Sequence, residues 1–219
     1  MHANVTPKIT LTFDNGPTPG VTDQVLDALA QRRMSAIFFV VGERVCAPQG
    51  RELTARAVRD GHRIGNHSFT HGRPLGELSP AEAIHEISGT QKLLDDFADA
   101  NRYFRPWGTE GVLDRRCLNQ AAVDHLIAEK YSCVLWNSVP RDWADPGGWV
   151  SRALADTRRY QHTVVVLHDL PTGAMEALPR FFDELTRSGV QVTTELPGDC
   201  MPIVRGRMRT PVDHLRPES

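Results

Sequence analysis

Two histidines stand four residues apart in Asn66-His67-Ser68-Phe69-Thr70-His71, a spacing that can bring both imidazoles to one face of a turn and aim two nitrogens at one divalent ion. Two imidazoles leave a catalytic ion in need of a third donor, usually a carboxylate, with positions open for water and substrate. The Asp14-Asn15 pair, which closes the β-prone run Ile9-Thr10-Leu11-Thr12-Phe13, is the natural candidate. On spacing alone the competing reading is a pair of exposed loop histidines, and Asn15-Gly16 alone is simply a favourable turn dipeptide. Arg105, Asp142 and His168 complete the set. Each of these polar residues falls at or just past the C-terminal end of an expected strand, where barrel enzymes carry their catalytic groups. Taken singly, Arg105 reads as a surface ion-pair residue and His168 as a packed strand-end histidine. Six such residues, Asp14, His67, His71, Arg105, Asp142 and His168, at the same end of successive strands favour a shared site.

The elements that must position them alternate. Strands are expected at 9–13, 36–41, 62–66, 103–104, 132–136, 163–167 and 190–194, and helices at 22–33, 52–60, 80–98, 119–130, 148–160 and 181–188. Ser79 reads as an N-cap with Glu82 at the capping-box position. Repeated β-α units without an internal linker predict one domain over 1–219 built on a parallel sheet, and periodicity does not choose between a barrel and an open doubly wound sheet.

The 219 residues carry 25 basic and 27 acidic side chains, a net charge of -2, and no basic run of the kind that tracks a phosphate backbone or an anionic membrane, so neither nucleic acid nor membrane is an expected partner. The four cysteines, Cys46, Cys117, Cys133 and Cys200, form no Cys-x-x-Cys pair and read as separate reduced thiols. The N-terminal residues 1–8 lack the apolar core of an export signal, and the expectation drawn from them is a cytoplasmic protein. Oligomeric state is not legible.

Five short motifs, in order, give the chain a family likeness. Thr12-Phe13-Asp14-Asn15-Gly16-Pro17, His67-Ser68-Phe69-Thr70-His71, Arg105-Pro106-Trp107-Gly108, Arg141-Asp142-Trp143 and Leu167-His168 together resemble the polysaccharide deacetylase family, also called NodB-like or carbohydrate esterase 4. The resemblance spans roughly residues 8–169 and implies a distorted (β/α) barrel of seven or eight strands. It also implies that Asp14 is the general base and His168 the general acid, with Arg105 orienting Asp14 and Asp142 tuning His168. Asn15, His67 and His71 would form the metal triad, zinc being the ion expected. A backbone N–H near Trp107 would help to hold the oxyanion, and Trp107 and Trp143 would line the substrate site. These roles suit amide hydrolysis, which needs an activated water, a stabilised tetrahedral oxygen and a proton for the departing amine.

The chain departs from the family pattern at position 15, where Asn15 replaces the metal-binding Asp and brings no negative charge to a divalent ion. The third motif is one residue shorter than the common form and has Trp in place of Tyr, and Val139-Pro140 precedes the fourth. The reaction expected is removal of an N-acetyl group from an amino sugar or short oligosaccharide. Two alternatives stay open: a metal-independent amidohydrolase of small amides, similar to the allantoinase-type relatives, and a carbohydrate-binding relative without turnover. Retention of Asp14 and His168 weighs against the last.

Overall fold

The structure, a computed structural model, describes residues 6–97 and 100–217. Residues 1–5, part of the stretch read for an export signal, lie outside the described residues, as does Ala98, where the helix expected at 80–98 would end. The chain runs β1 (Lys8–Asp14), α1 (Thr22–Gln31), β2 (Ile37–Val40), α2 (Gly42–Cys46), α3 (Gly50–Arg59), β3 (Arg63–Asn66), α4 (Pro80–Leu94), β4 (Tyr103–Phe104) and α5 (Gln120–Ala128). It continues through β5 (Ser132–Cys133), α6 (Trp149–Arg159), β6 (His162–His168), α7 (Leu178–Arg187), β7 (Gln191–Thr193), β8 (Ile203–Val204) and β9 (Arg207–Met208).

All nine strands of the described residues belong to one sheet, ordered β6-β1-β2-β3-β4-β5-β8-β9, with β7 paired to Lys8–Thr10 of β1. The six strands from β6 to β5 are parallel and form the wall of a distorted (β/α) barrel. Residues 132–136 do not form the full strand expected there. After Cys133 the chain leaves regular pairing, and only Ser138 bridges to Val165 of β6. The side chain of Asn137 stands in for the missing ladder: its Oδ1 accepts from the Val164 N–H and its Nδ2 donates to the His162 carbonyl. The hairpin β8–β9 takes the place beside β5 in antiparallel register, so the barrel closes irregularly.

Two-residue periodicity decides what faces inward. Ile9, Leu11 and Phe13 of β1, Phe38 and Val40 of β2, and Val165 and Leu167 of β6 share one core cluster with α1, α6 and α7. Burying side chains such as Phe181, Phe182 and Leu185 of α7, none of them exposed, contributes about 1.5–3 kcal/mol each. The intervening residues Ile37, Phe39, Val164 and Val166 pack in separate clusters across the sheet. On β1 that opposite face is polar: Thr10, Thr12 and Asp14, all buried. A strand with apolar residues against the helices and hydroxyls and a carboxylate against the barrel interior is built to carry a site at its C-terminal end. Helix α4 starts as its sequence predicts, with Ser79 and Glu82 forming a complete capping box, but it ends at Leu94. The four cysteines are free, and no described helix is long and apolar enough to cross a membrane.

Candidate active site

Asp14 ends β1 in direct register with His168, which ends β6. The Arg105 Nη1 donates to Asp14 Oδ1 at 2.7 Å and to Thr12 Oγ1 at 2.7 Å. Arg105 is not a surface residue: it is fully buried, its Nε donates to the Val134 carbonyl, and its guanidinium lies 4.0 Å from the centre of the Phe39 ring. Two opposite charges taken out of water are retained only when paired and hydrogen-bonded, and every contact here meets that condition. The guanidinium therefore fixes one oxygen of Asp14 and leaves the other, Oδ2, toward the histidines.

His67 follows β3 directly. Its Nδ1 lies 2.9 Å from the Arg105 carbonyl, which only accepts, so the ring proton sits on Nδ1 and Nε2 carries a lone pair. That Nε2 is 3.6 Å from Asp14 Oδ2. Burial drives the His67 pKa down to about 3, with the Arg105 charge adding to the shift, so this contact joins two acceptors and is not an ion pair. His71 is likewise held neutral, at about 3, by burial first and by His67 next. The two rings lie 4.8 Å apart between centroids, and Trp107 packs on the outer side of His71 at 4.7 Å. Positive φ values at Ser68 and His71 curl this loop, and Glu86 of α4 pins it by accepting from the Phe69 and Thr70 N–H groups and the Thr70 hydroxyl, each at 2.9 Å.

Position 15 adopts a left-handed φ of 74°, which asparagine tolerates better than most residues. Asn15 Oδ1 and His71 Nε2 are both buried without a protein hydrogen-bond partner, and both residues line the same cleft. Unpartnered buried polar atoms of this kind suit a cation. Among the described residues no group of three His, Cys, Asp or Glu side chains is gathered for a metal, as follows from an amide at position 15. The donor set that fits an ion is thus two imidazoles and an amide oxygen.

Across the cleft, Asp142 is fully buried and grips His168 twice: Oδ2 accepts from the His168 backbone N–H and Oδ1 faces ring Nδ1, both at 2.9 Å. Burial opposes charging of His168, but the hydrogen bond and charge of Asp142, joined by Asp14 and Asp169, outweigh it and raise its pKa above the ordinary 6.5. Trp143 stands edge-on to that ring at 4.7 Å. The structure thus gathers Asp14, Asn15, His67, His71, Trp107, Trp143 and His168 around a cleft of about 230 Å³, with Arg105 and Asp142 directly behind it. This volume is small for a site that encloses a whole ligand.

Sequence reasoning did not single out Thr12, Glu86, Glu110 or Asp169. Thr12 was signalled by the two-residue period it shares with Asp14. Glu86 and Glu110 had no local signal. Asp169 is fully buried beside Gly16, where a Cβ would fall 2.0 Å from its Oδ2, and it accepts from the Thr22 hydroxyl. Trp136 lines the cleft with its Nε1 donating to the Gly111 carbonyl at 3.0 Å.

Residues 3–122, more than half of the chain, match the family model of polysaccharide deacetylases. The chain belongs to the polysaccharide deacetylase family. With this membership comes the enzyme class, a hydrolase of the deacetylase type. Among relatives of this deacetylase, a peptidoglycan-N-acetylglucosamine deacetylase of Bacillus cereus is 32% identical over 196 residues, 85% of each chain. A chitooligosaccharide deacetylase of a Bradyrhizobium strain is 36% identical over 166 residues, 75% of this chain and 71% of that one. The solved family 4 carbohydrate esterase of Streptomyces lividans, in complex with acetate, superposes with a TM-score of 0.73 at 27% identity, covering 89% of this chain and 96% of that one.

Proposed function

We propose that this deacetylase hydrolyses the N-acetyl amide of an amino-sugar unit within an oligosaccharide, releasing acetate and the free amine. One observation carries the reading: the Asp14 carboxylate and the His168 imidazole line one cleft, each fixed from behind by its own buried partner, Arg105 or Asp142. Asp14 takes a proton from the attacking water, which adds to the acetyl carbonyl carbon. His168, kept protonated by Asp142, then gives its proton to the departing nitrogen as the carbon–nitrogen bond breaks. The Trp107–Gly108 backbone supports the negative oxygen that forms between these steps. Trp107, Trp136 and Trp143 line the cleft, and aromatic rings of this kind suit contact with a sugar ring.

A divalent ion, zinc being suited to two imidazoles, would be held by Asn15, His67 and His71 and would polarise the acetyl oxygen and acidify the water. The neutral amide of Asn15 also favours a second reading, a metal-independent hydrolase of small amides. Acetate release from N-acetylated chitotetraose tests the first, with Asp14→Ala and His168→Ala expected to fall by a factor of about 10² to 10⁴. Full activity in either variant would refute the assigned roles. Full activity after chelation, with metal content well below stoichiometry, would transfer the reading to the metal-independent chemistry.

A further inference from the structure

Glu110 has no part in the chemistry above, yet it lines the cleft. It sits in the short turn Thr109–Gly111 with φ at 52°, a left-handed conformation that a glutamate adopts only when its surroundings enforce it. The enforcement is visible. Gly111 N–H donates to the Gly108 carbonyl at 2.9 Å, and Trp136 Nε1 anchors the Gly111 carbonyl. A Cβ at Gly111 would fall 2.5 Å from Val139 Cγ1, so the turn lies flat against the wall formed by Trp136 and Val139.

The charge around the cleft gives this placement its consequence. Asp14 is offset by Arg105 at 2.7 Å and His168 faces Asp142 at 2.9 Å. Among the described residues that line the cleft there is no Lys or Arg. The partner of Glu110 is Arg141, 3.3 Å from Oε2, but the two side chains are 67% and 49% exposed and Arg141 stands outside the lining. A solvated pair of this kind orients the carboxylate and only partly cancels its field.

We propose that Glu110 is a specificity-determining residue that favours neutral or amine-bearing sugar units in the cleft and turns away units that carry a carboxylate, such as muramic acid. The inference rests on the amino-sugar deacetylase reading. The carboxylate accepts hydrogen bonds from sugar hydroxyls or from the ammonium group of a unit already deacetylated, and it repels an anionic substituent. Because the group is exposed, the discrimination weakens with added salt.

The test uses the whole chain and three glycans: fully N-acetylated chitotetraose, the same tetramer partly deacetylated, and a muramic-acid-containing glycan of equal length. Calorimetric affinity and acetate release are measured for wild type, Glu110→Gln and Glu110→Lys at low and physiological ionic strength. In E110K the kcat/KM ratio of muramyl glycan to chitotetraose rises about tenfold, the preference for the partly deacetylated tetramer is lost, and both changes shrink with salt. E110Q lies between. Unchanged ratios in E110K, or equal loss on all three glycans, overturn the inference alone. Failure of the wild type to bind any of the three overturns the amino-sugar reading together with it.

Discussion

At the scale of single residues, the site depends on one charge acting on one imidazole. Asp142 holds His168 both by its backbone and by its ring, so replacing the carboxylate with an amide of the same shape separates orientation from charge. On the proposed reading, in which His168 is the acid, activity falls as pH rises through its raised pKa, which places the alkaline limb of kcat/KM above 6.5. In Asp142→Asn the burial effect is no longer outweighed, and the limb moves to lower pH. A pH–rate profile with that limb unmoved would show that Asp142 does not set the acid. The linked effect on folding has the same direction: the Asp142–imidazolium interaction stabilises the fold below 6.5 and is lost as pH climbs through the raised value. Position 15 offers a second comparison. Asn15→Asp adds an anionic donor beside two neutral imidazoles, and zinc affinity measured by titration calorimetry rises by about tenfold or more. Equal affinity in the two proteins would remove position 15 from the donor set.

At the scale of elements, the histidine loop is held largely by groups outside it, above all by a carboxylate on a helix. Glu86, on the buried side of α4, accepts three hydrogen bonds from Phe69 and Thr70, while Asn66 ties the start of the loop by accepting from the Ser68 N–H and donating to the Ile87 carbonyl. The loop needs this because Ser68 and His71 are both held at positive φ. Glu86→Ala strands two N–H donors and a hydroxyl and costs about 2–4 kcal/mol of stability, hydrogen bonds to a charged acceptor being the stronger kind. Amide exchange at Phe69 and Thr70 should accelerate by more than global unfolding explains, and kcat should fall with it. Exchange at those amides that tracks the core would mean that the loop is held elsewhere.

At the scale of the whole molecule, β6 is tied to the loop after β1 by a carboxyl group that the fold dislikes in its charged form. Burial raises the Asp169 pKa to about 6, against the opposing pull of the Thr22 hydroxyl and the Arg44 charge. The folded state then favours the neutral acid relative to an unfolded carboxyl near 3.8. Its contribution is fully present below that pH and is lost as pH rises through about 6, a difference of about 3 kcal/mol by pH 8. Asp169→Asn keeps the shape and removes the charge, so scanning calorimetry at pH 8 shows a higher Tm for the variant and at pH 3.5 shows little difference. A Tm gain of the same size at both pH values would exclude burial of charge as the cause. The close approach of Gly16 and the Thr22 hydroxyl explains what the group does there: it packs the base of the site at the expense of stability.

Much of the architecture is local information. The apolar runs of β2 and β6, the Ser79–Glu82 capping box and the alternation along β1 are set by neighbours within a few residues, and the chain carries them openly. The motif residues at strand ends were legible for the same reason. What local pattern does not contain is closure of the sheet. Strand β5 stops at Cys133, and the gap between it and β6 is bridged in part by the Asn137 side chain, which bonds to the His162 carbonyl and the Val164 N–H. The β8–β9 hairpin, with two-residue strands and an Arg205-Gly206 turn at positive φ, is too short for a periodic signal and exists because β5 offers it an edge. Asp14 and Arg105 are 91 residues apart, and Glu86 reaches a loop 16 and 17 residues behind it. Side-chain types and spacing state which groups can do chemistry, but a 2.7 Å contact between buried charges exists only where long-range strand pairing has already excluded the water that would separate them.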